Sequence, residues 1–245
     1  MKIAIVCPCH NEEAVLESSA GRLSALLSRL ESEGKISDGS FLMFVDDGSQ
    51  DATWETISNL SAALPGLKAV RLGANAGQQT ALYAGLMQCR GLCDACVTLD
   101  VDLQDDINCI PKMLDACAAG ADVVYGVRTD RSVDSAVKRM TAGAYYALLK
   151  LFGAKTIPDH GDFRLMTAPV LEALAGRCGR RPYLRGLVPQ LGFASATVAY
   201  KRLGRESGCS SYSVPKMFRL AADGFANALG RSSGSPEYTI IETID

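Results

Sequence analysis

Five times in its first half this chain passes from a short apolar, often β-branched run to a segment with helical spacing. Ile3–Cys7, Phe41–Val45, Lys68–Leu72, Ala95–Leu99 and Asp122–Val127 are the strand-like runs. After the first, Asn11 is placed to cap a helix whose Val15, Leu16, Leu23, Leu26, Leu27 and Leu30 recur on one side. Asp51 or Ser49 can cap a second helix through about Ala63. Gly77–Cys89 reads as a third helix, and Pro111 opens a fourth that stops before Gly120. Strand and helix in strict alternation specify βαβ units around a mostly parallel sheet, an α/β fold. The strands are apolar almost without interruption, so helices are expected on both faces. No G-x-G-x-x-G follows the first strand, which argues against a dinucleotide fold of the dehydrogenase kind.

Sheets of this type hold ligands just beyond the carboxyl ends of their strands. The fourth run ends in Asp100-Val101-Asp102-Leu103-Gln104. Hard carboxylate and amide oxygens suit Mg²⁺ or Mn²⁺, and these ions suit phosphates. Alternate residues of an extended segment share a side, so Asp100, Asp102 and Gln104 are expected to converge. An acidic pair in an ordinary surface loop would look alike in isolation; its place at a strand end favours the metal-bridged diphosphate. Pro8-Cys9-His10-Asn11-Glu12 and Asp46-Asp47-Gly48-Ser49 follow the first two strands and belong to the same edge. Pro8 fixes the chain as it leaves the sheet. Glu12 and Asp47 are acceptors suited to a base N–H or ribose hydroxyls, and Ser49 reads as a helix cap.

The second half is less regular. A helix is expected over 133–152, a turn and short strand over 161–165, a short helix over 169–174 and an edge strand over 192–200. Residues 213–229 read as an amphipathic helix. The expected layout is one domain over 1–229, divided into halves at 1–127 and 128–229, with a flexible tail over 230–245.

Charge separates the same halves. Residues 1–127 hold 8 Lys and Arg against 17 Asp and Glu, whereas residues 128–219 hold 16 against 6. The acidic half suits a metal and the basic half something anionic. Arg177, Arg180, Arg181 and Arg185, with Lys138, Arg139, Lys201 and Arg202, suit an anionic membrane surface. Nucleic acid is disfavoured, since aromatics are only 7% and no nucleic-acid module is recognisable. No run approaches the ~18 apolar residues of a membrane helix. The N-terminal apolar stretch is too short for a signal peptide. Nine cysteines, an odd number, then point to reduced thiols in the cytoplasm. Cys93-Asp94-Ala95-Cys96, without a second pair or nearby histidines, is poor zinc evidence and reads as small packing residues.

Pro8…Asn11-Glu12, Val45-Asp46-Asp47-Gly48-Ser49, Asn75-x-Gly77, Asp100-x-Asp102-Leu103-Gln104-Asp105, Gly126-Val127-Arg128-x-x-Arg131 and Gly161-Asp162-Phe163-Arg164-Leu165 occur in the order found in family 2 glycosyltransferases. Over about residues 2–228 the chain resembles that family, which has the GT-A fold, and within it the polyprenyl-phosphate, dolichol-phosphate mannose synthase-like branch. The resemblance implies inverting transfer of a hexose from a UDP- or GDP-sugar to a polyprenyl phosphate by an enzyme peripheral to the cytoplasmic membrane face. By resemblance Pro8, His10, Asn11, Glu12, Val45, Asp47, Asn75, Asp100 and Arg205 bind the nucleotide sugar. Asp100, Asp102 and Gln104 hold Mg²⁺ or Mn²⁺, and Arg128, Arg131 and Arg164 hold the acceptor phosphate. Asp102, Arg128, Arg131 and Asp162 are the implied catalytic set.

A phosphate is already ionised near neutral pH, its second pKa being ~6, so no general base is needed. Asp162 is then a positioning group, and catalysis reduces to orientation and charge stabilisation. Ser211 stands where the family places a phosphate-binding lysine, a contact worth ~1.5–3 kcal/mol. Either Lys216 compensates or the activity is weakened, which keeps a catalytically impaired nucleotide-sugar binder as one alternative. A transferase with a saccharide or polymer acceptor is the other. Membrane contact is expected from the 213–229 helix or a membrane partner, and a homo-oligomer is compatible with the sequence.

Overall fold

The computed structural model describes residues 1–129, 160–180, 182–202 and 235–245. Along the chain these form β1 (Ile3–Cys9), α1 (Glu13–Ser32), β2 (Phe41–Asp46), α2 (Thr53–Ala63), β3 (Leu67–Leu72), α3 (Gln78–Cys89) and β4 (Ala95–Thr98). A single 3₁₀ turn at Ile107–Cys109 leads into α4 (Ile110–Ala118). Then come β5 (Val123–Arg128), β6 (His160–Thr167), α5 (Ala168–Ala175), α6 (Leu184–Gln190), β7 (Ser195–Tyr200) and β8 (Ile240–Ile244).

All eight described strands join one sheet in the order β7-β5-β6-β4-β1-β2-β3-β8. β1 pairs in parallel with β2 and β4, β2 with β3, and β5 with β7. The sheet is mixed, because β6 runs antiparallel between β4 and β5, and β8 antiparallel along β3. Two cores result from the alternation of side chains across a strand. Ile3, Ile5, Cys7 and Cys9 of β1 face the α1, α2 and α4 side. Ala4 and Val6 face the side of α3, α5 and α6. The expected α1 stripe is present, with Leu16, Leu23, Leu26, Leu27 and Leu30 buried; each such side chain contributes roughly 1.5–3 kcal/mol.

Pro8 sits inside β1 without cost to the ladder. The Cys9 carbonyl accepts from Asp47 N on the β2 side, so the Pro8 nitrogen faces the opposite side. There the pairing with β4 has already ended at Val6 and Thr98. α3 presses onto β1 and β2 at Gly85, where a Cβ would stand 2.6 Å from Val45 Cγ2 and 2.7 Å from Val6 Cγ1.

Three expectations change. Asn11 does not cap α1: Glu12 holds the cap position, while Asn11 takes a φ of 55° and accepts Gln50 N on its Oδ1 at 2.8 Å. Ser49 is not a cap either, since its Oγ accepts Asn11 N at 3.0 Å. The stretch 230–245, expected to be a flexible tail, ends in β8, where Glu242 bonds Arg71 Nη1 (2.8 Å) and Trp54 Nε1 (3.0 Å). That pairing joins residues far apart in sequence, which no local pattern announces. The expected helices over 133–152 and 213–229 lie outside the described residues.

Candidate active site

β1, β2 and β4 all deliver their C-terminal loops to one edge. Antiparallel β6 brings its beginning there, with Arg164 paired to Thr98. β5 and β7 end at the same level, with Arg128 opposite Tyr200. α3 and α6 point their first turns at this edge.

At the β1–β2 end three loops are fastened together. His10 Nδ1 lies 2.9 Å from the Asp47 carbonyl oxygen and Nε2 2.9 Å from Asn75 Nδ2. The network assigns a proton on Nδ1 and an accepting Nε2. Thr53 Oγ1 accepts Glu12 N at 2.9 Å. The Asp47 carboxylate accepts Ala76 N (2.7 Å) and Gly77 N (2.9 Å), and burial raises its pKa against the effect of these bonds. Gly48, at φ +63°, lets this loop approach: a Cβ there would lie 2.5 Å from the Ala74 carbonyl carbon. Pro8, His10, Asn11, Glu12, Asp47 and Asn75 are thus brought together. Val45 is not among them, because its side chain is buried beneath α3 and cannot line a donor pocket.

The β4 end differs from expectation in shape. Residues 99–106 turn rather than extend: Leu103 has a φ of 47° and its N–H bonds the Asp100 carbonyl at 3.2 Å. Asp100 and Asp102 remain partly exposed, but Gln104 is buried. Its Nε2 donates to Asp102 Oδ2 at 2.6 Å and its N–H to Oδ1 at 3.2 Å. The turn therefore makes Gln104 a support for Asp102 rather than a third ligand converging beside it. Asp100 Oδ1 accepts Gln78 Nε2 at 2.6 Å. Its pKa is pushed up to about 7, first by burial, then by the carboxylates of Asp162, Asp105 and Asp102, with Arg185 opposing.

The β6 end carries the balancing charge. Arg185 grips Asp162 with two bonds, Nε to Oδ1 at 3.1 Å and Nη2 to Oδ2 at 2.7 Å. Arg164 Nη2 adds a bond to Oδ1 at 2.6 Å and Gln79 Nε2 one to Oδ2 at 3.0 Å. Burial favours the neutral acid, but the two guanidiniums outweigh it and hold Asp162 well below the usual carboxylate range. With four donors on two oxygens and a depressed pKa, Asp162 is no proton acceptor. Arg164 is fully buried, so the expected acceptor-phosphate ligand is instead a counter-ion of Asp162, with its Nε and Nη1 lacking a hydrogen-bond partner among the described residues. Arg128 lies beside this corner, donating from Nε to Tyr200 Oη (3.0 Å) and from Nη2 to Asp105 Oδ1 (3.4 Å). Tyr200 Oη in turn donates to Asp105 Oδ1 at 2.6 Å.

Arg131, Arg205 and Ser211 lie outside the described residues. Sequence reading missed Gln78, Gln79, Arg185 and Tyr200, and quoted Asp105 in its motif without giving it a role. The one available signal was a polar Gln78-Gln79 pair opening an otherwise apolar helix. Arg185 was grouped with the membrane-facing cations, yet it turns inward, and Arg180 pairs with Glu237 at 2.5 Å.

The donor set fits a hard divalent cation. Asp100 and Asp102 are the carboxylates partly open to solvent, and the repulsion felt by Asp100 is of the kind a cation relieves. Among the described residues no three His, Cys, Asp or Glu side chains are grouped to hold a metal alone. One or two carboxylates completed by phosphate oxygens are the usual arrangement for Mg²⁺.

Solved proteins with this architecture are GT-A glycosyltransferases, and that is the class of this fold. Glucosyl-3-phosphoglycerate synthase from Mycobacterium tuberculosis matches with a TM-score of 0.63 at 18% identity, covering 96% of this chain and 81% of that one. The mannosyltransferase PcManGT from Pyrobaculum calidifontis, solved with GDP-Man and Mn²⁺, matches with a TM-score of 0.58 at 15% identity, covering 96% and 66%. Residues 4–174 match the model for glycosyl transferase family 2, and the chain belongs to that family. It is accordingly an enzyme, a glycosyltransferase. An uncharacterized glycosyltransferase of Bacillus subtilis (strain 168), YkoT, is 39% identical over 225 residues, 92% of this chain and 67% of the relative. The bactoprenol glucosyl transferase of Shigella phage SfX is 34% identical over 228 residues, 93% of this chain and 72% of the relative.

Proposed function

We propose that this enzyme transfers a hexose, with inversion, from a nucleotide diphosphate sugar to a polyprenyl phosphate at a membrane surface. The observation that carries the reading is the joining, on one sheet edge, of a corner in which Asp100 is crowded by three carboxylates to the guanidiniums of Arg128 and Arg185. The first suits a metal–diphosphate and the second a neighbouring anionic acceptor. The name of the bactoprenol glucosyl transferase relative supports a polyprenol-based acceptor.

In this reading the loops carrying Pro8, His10, Asn11, Glu12, Asp47 and Asn75 hold the nucleoside. Asp100 and Asp102 would hold Mg²⁺ or Mn²⁺, which when bound offsets charge on the departing diphosphate. Gln78 aims Asp100, and Gln104 aims Asp102. Arg128, fixed by Tyr200 and Asp105, orients the acceptor phosphate, whose own charge makes it the nucleophile. Arg131 and Arg205 join the acceptor and donor sets respectively. Asp162 keeps Arg185 and Arg164 in register. Sugar transfer thus asks the protein for positioning and electrostatics, with no base. Residues 1–229 act as one catalytic domain, with cationic side chains such as Lys201 and Arg202 turned to an anionic membrane.

The test is calorimetric titration of UDP-glucose, UDP-galactose and GDP-mannose with Mn²⁺ and with EDTA, followed by transfer assays with a polyprenyl phosphate in vesicles. Expected is binding of one donor that disappears with EDTA, then formation of a glycosylated lipid phosphate. Transfer to a soluble saccharide in preference to the lipid phosphate would overturn the acceptor assignment. Binding with no transfer, restored by Ser211→Lys, would show an impaired enzyme.

A further inference from the structure

Opposite the catalytic edge lies a thiol cluster that sugar transfer does not use. α3 ends in Cys89, and a short surface turn leads to β4 with Cys96 as its second residue. Cys93 Sγ lies 3.5 Å from Cys96 Sγ, and as a thiol it donates to the Cys89 carbonyl oxygen at 3.5 Å. The Cys89 thiol is electrostatically linked to both other sulfurs. The turn between Cys93 and Cys96 is pinned to the start of β1. Asp94 N donates to the Lys2 carbonyl at 2.8 Å, and Asp94 Oδ2 accepts Lys2 N at 2.7 Å.

An isolated buried thiol is inert packing. This one has a second sulfur already at contact distance and a route to solvent. Cys93 is 6% exposed, against 0% for Cys89 and Cys96, and its neighbour Leu92 is 45% exposed. The Cys89 and Cys96 thiols also favour the thiolate at Cys93 and lower its pKa. A metal is not what the cluster offers, since no metal-holding group of three is found among the described residues.

We propose that Cys93 and Cys96 form a reversible dithiol–disulfide site whose oxidant is a hydroperoxide. The Cys93 sulfur attacks the peroxide oxygen, the O–O bond breaks, and water (or the alcohol) leaves while Cys93 becomes a sulfenic acid. The Cys96 sulfur then displaces the hydroxyl as a second water and the S–S bond forms. Two electrons pass from the thiols to the peroxide, and the two thiol protons leave in the products. The sulfurs stand 3.5 Å apart, so forming a bond of about 2.05 Å asks them to close by about 1.5 Å. A dithiol reductant reverses the step by exchange.

The experiment treats the full, native chain with hydrogen peroxide, traps free thiols by alkylation in denaturant, and sequences the Gly91–Lys112 tryptic peptide by fragmentation. That peptide also contains Cys109, so fragmentation locates the bridge. Expected is loss of two hydrogens with the bridge placed at Cys93–Cys96, and full return of both thiols with dithiothreitol. Cys89→Ser should keep the bridge, and Cys93→Ser and Cys96→Ser should each lose it. The wild-type measurement decides the matter even if a variant fails to fold. The proposal is overturned if both thiols stay alkylatable while a control dithiol peptide oxidises. Bridging to Cys89, to Cys109 or to another chain would overturn it equally.

Discussion

The β4 corner and the β6 corner of the catalytic edge each hold an aspartate, Asp100 partly exposed and Asp162 buried, and they treat it in opposite ways. Asp162 receives two guanidiniums and an amide, so its charge is compensated within the protein and its pKa falls. Asp100 receives one amide and three neighbouring carboxylates, so its pKa climbs to about 7. A buried carboxylate with its counter-ions is finished architecture. One crowded by like charges is costly to ionise until a cation arrives. The contrast separates the part of the edge built to be rigid from the part built to receive a ligand.

Removing one carboxylate from each corner should have opposite consequences. Asp162→Ala removes the buried carboxylate shared by Arg164 and Arg185 and should lower unfolding free energy by ~3–5 kcal/mol in urea melts. An effect under ~1 kcal/mol would mean the β6 corner is not a buried ion network. Asp100→Asn should instead raise the melting temperature of the metal-free protein, because a crowded charge is removed. It and Asp102→Asn should each cut sugar transfer by ~10²–10³-fold. Loss of stability on Asp100→Asn would break the comparison.

Two measurements address the ions themselves. Mn²⁺ with the matching nucleotide diphosphate should stabilise wild type by ~2.7 kcal/mol at a hundredfold excess over Kd, reversed by EDTA, and should do little for Asp102→Asn. For Asp162 the folded pKa lies below the unfolded value of ~3.9, so its stabilising contribution is complete above that value and fades as pH falls. The stability gap between wild type and Asp162→Asn should therefore stay level from pH 6 to 8 and narrow below about pH 4. The smallest effect is expected at the rim. Tyr200→Phe removes the hydroxyl shared by Arg128 and Asp105 and should cost ~0.5–1.5 kcal/mol, read as a raised KM for the acceptor with donor binding unchanged.

The existence of β1, β2, β3 and β4 was legible because each run is apolar, short and set between helical periods, whereas their order in the sheet was not. The acidic loops were legible for the same reason, since a strand's end names its edge. Gln104 and Val45 misled: a turn at 101–103 moved one, and alternation inside β2 turned the other into the core. Gln79 and Arg185 were hidden because each meets Asp162 only after β6 inserts antiparallel between β4 and β5.

The sequence by itself determined the α/β alternation, the two covered faces and the carboxylates at the strand ends, all consequences of local periodicity. Only the tertiary structure decided which carboxylate is compensated. That depends on guanidiniums brought from residues 164 and 185 to within hydrogen-bond distance of one oxygen pair, and such through-space charge balance has no period along the chain.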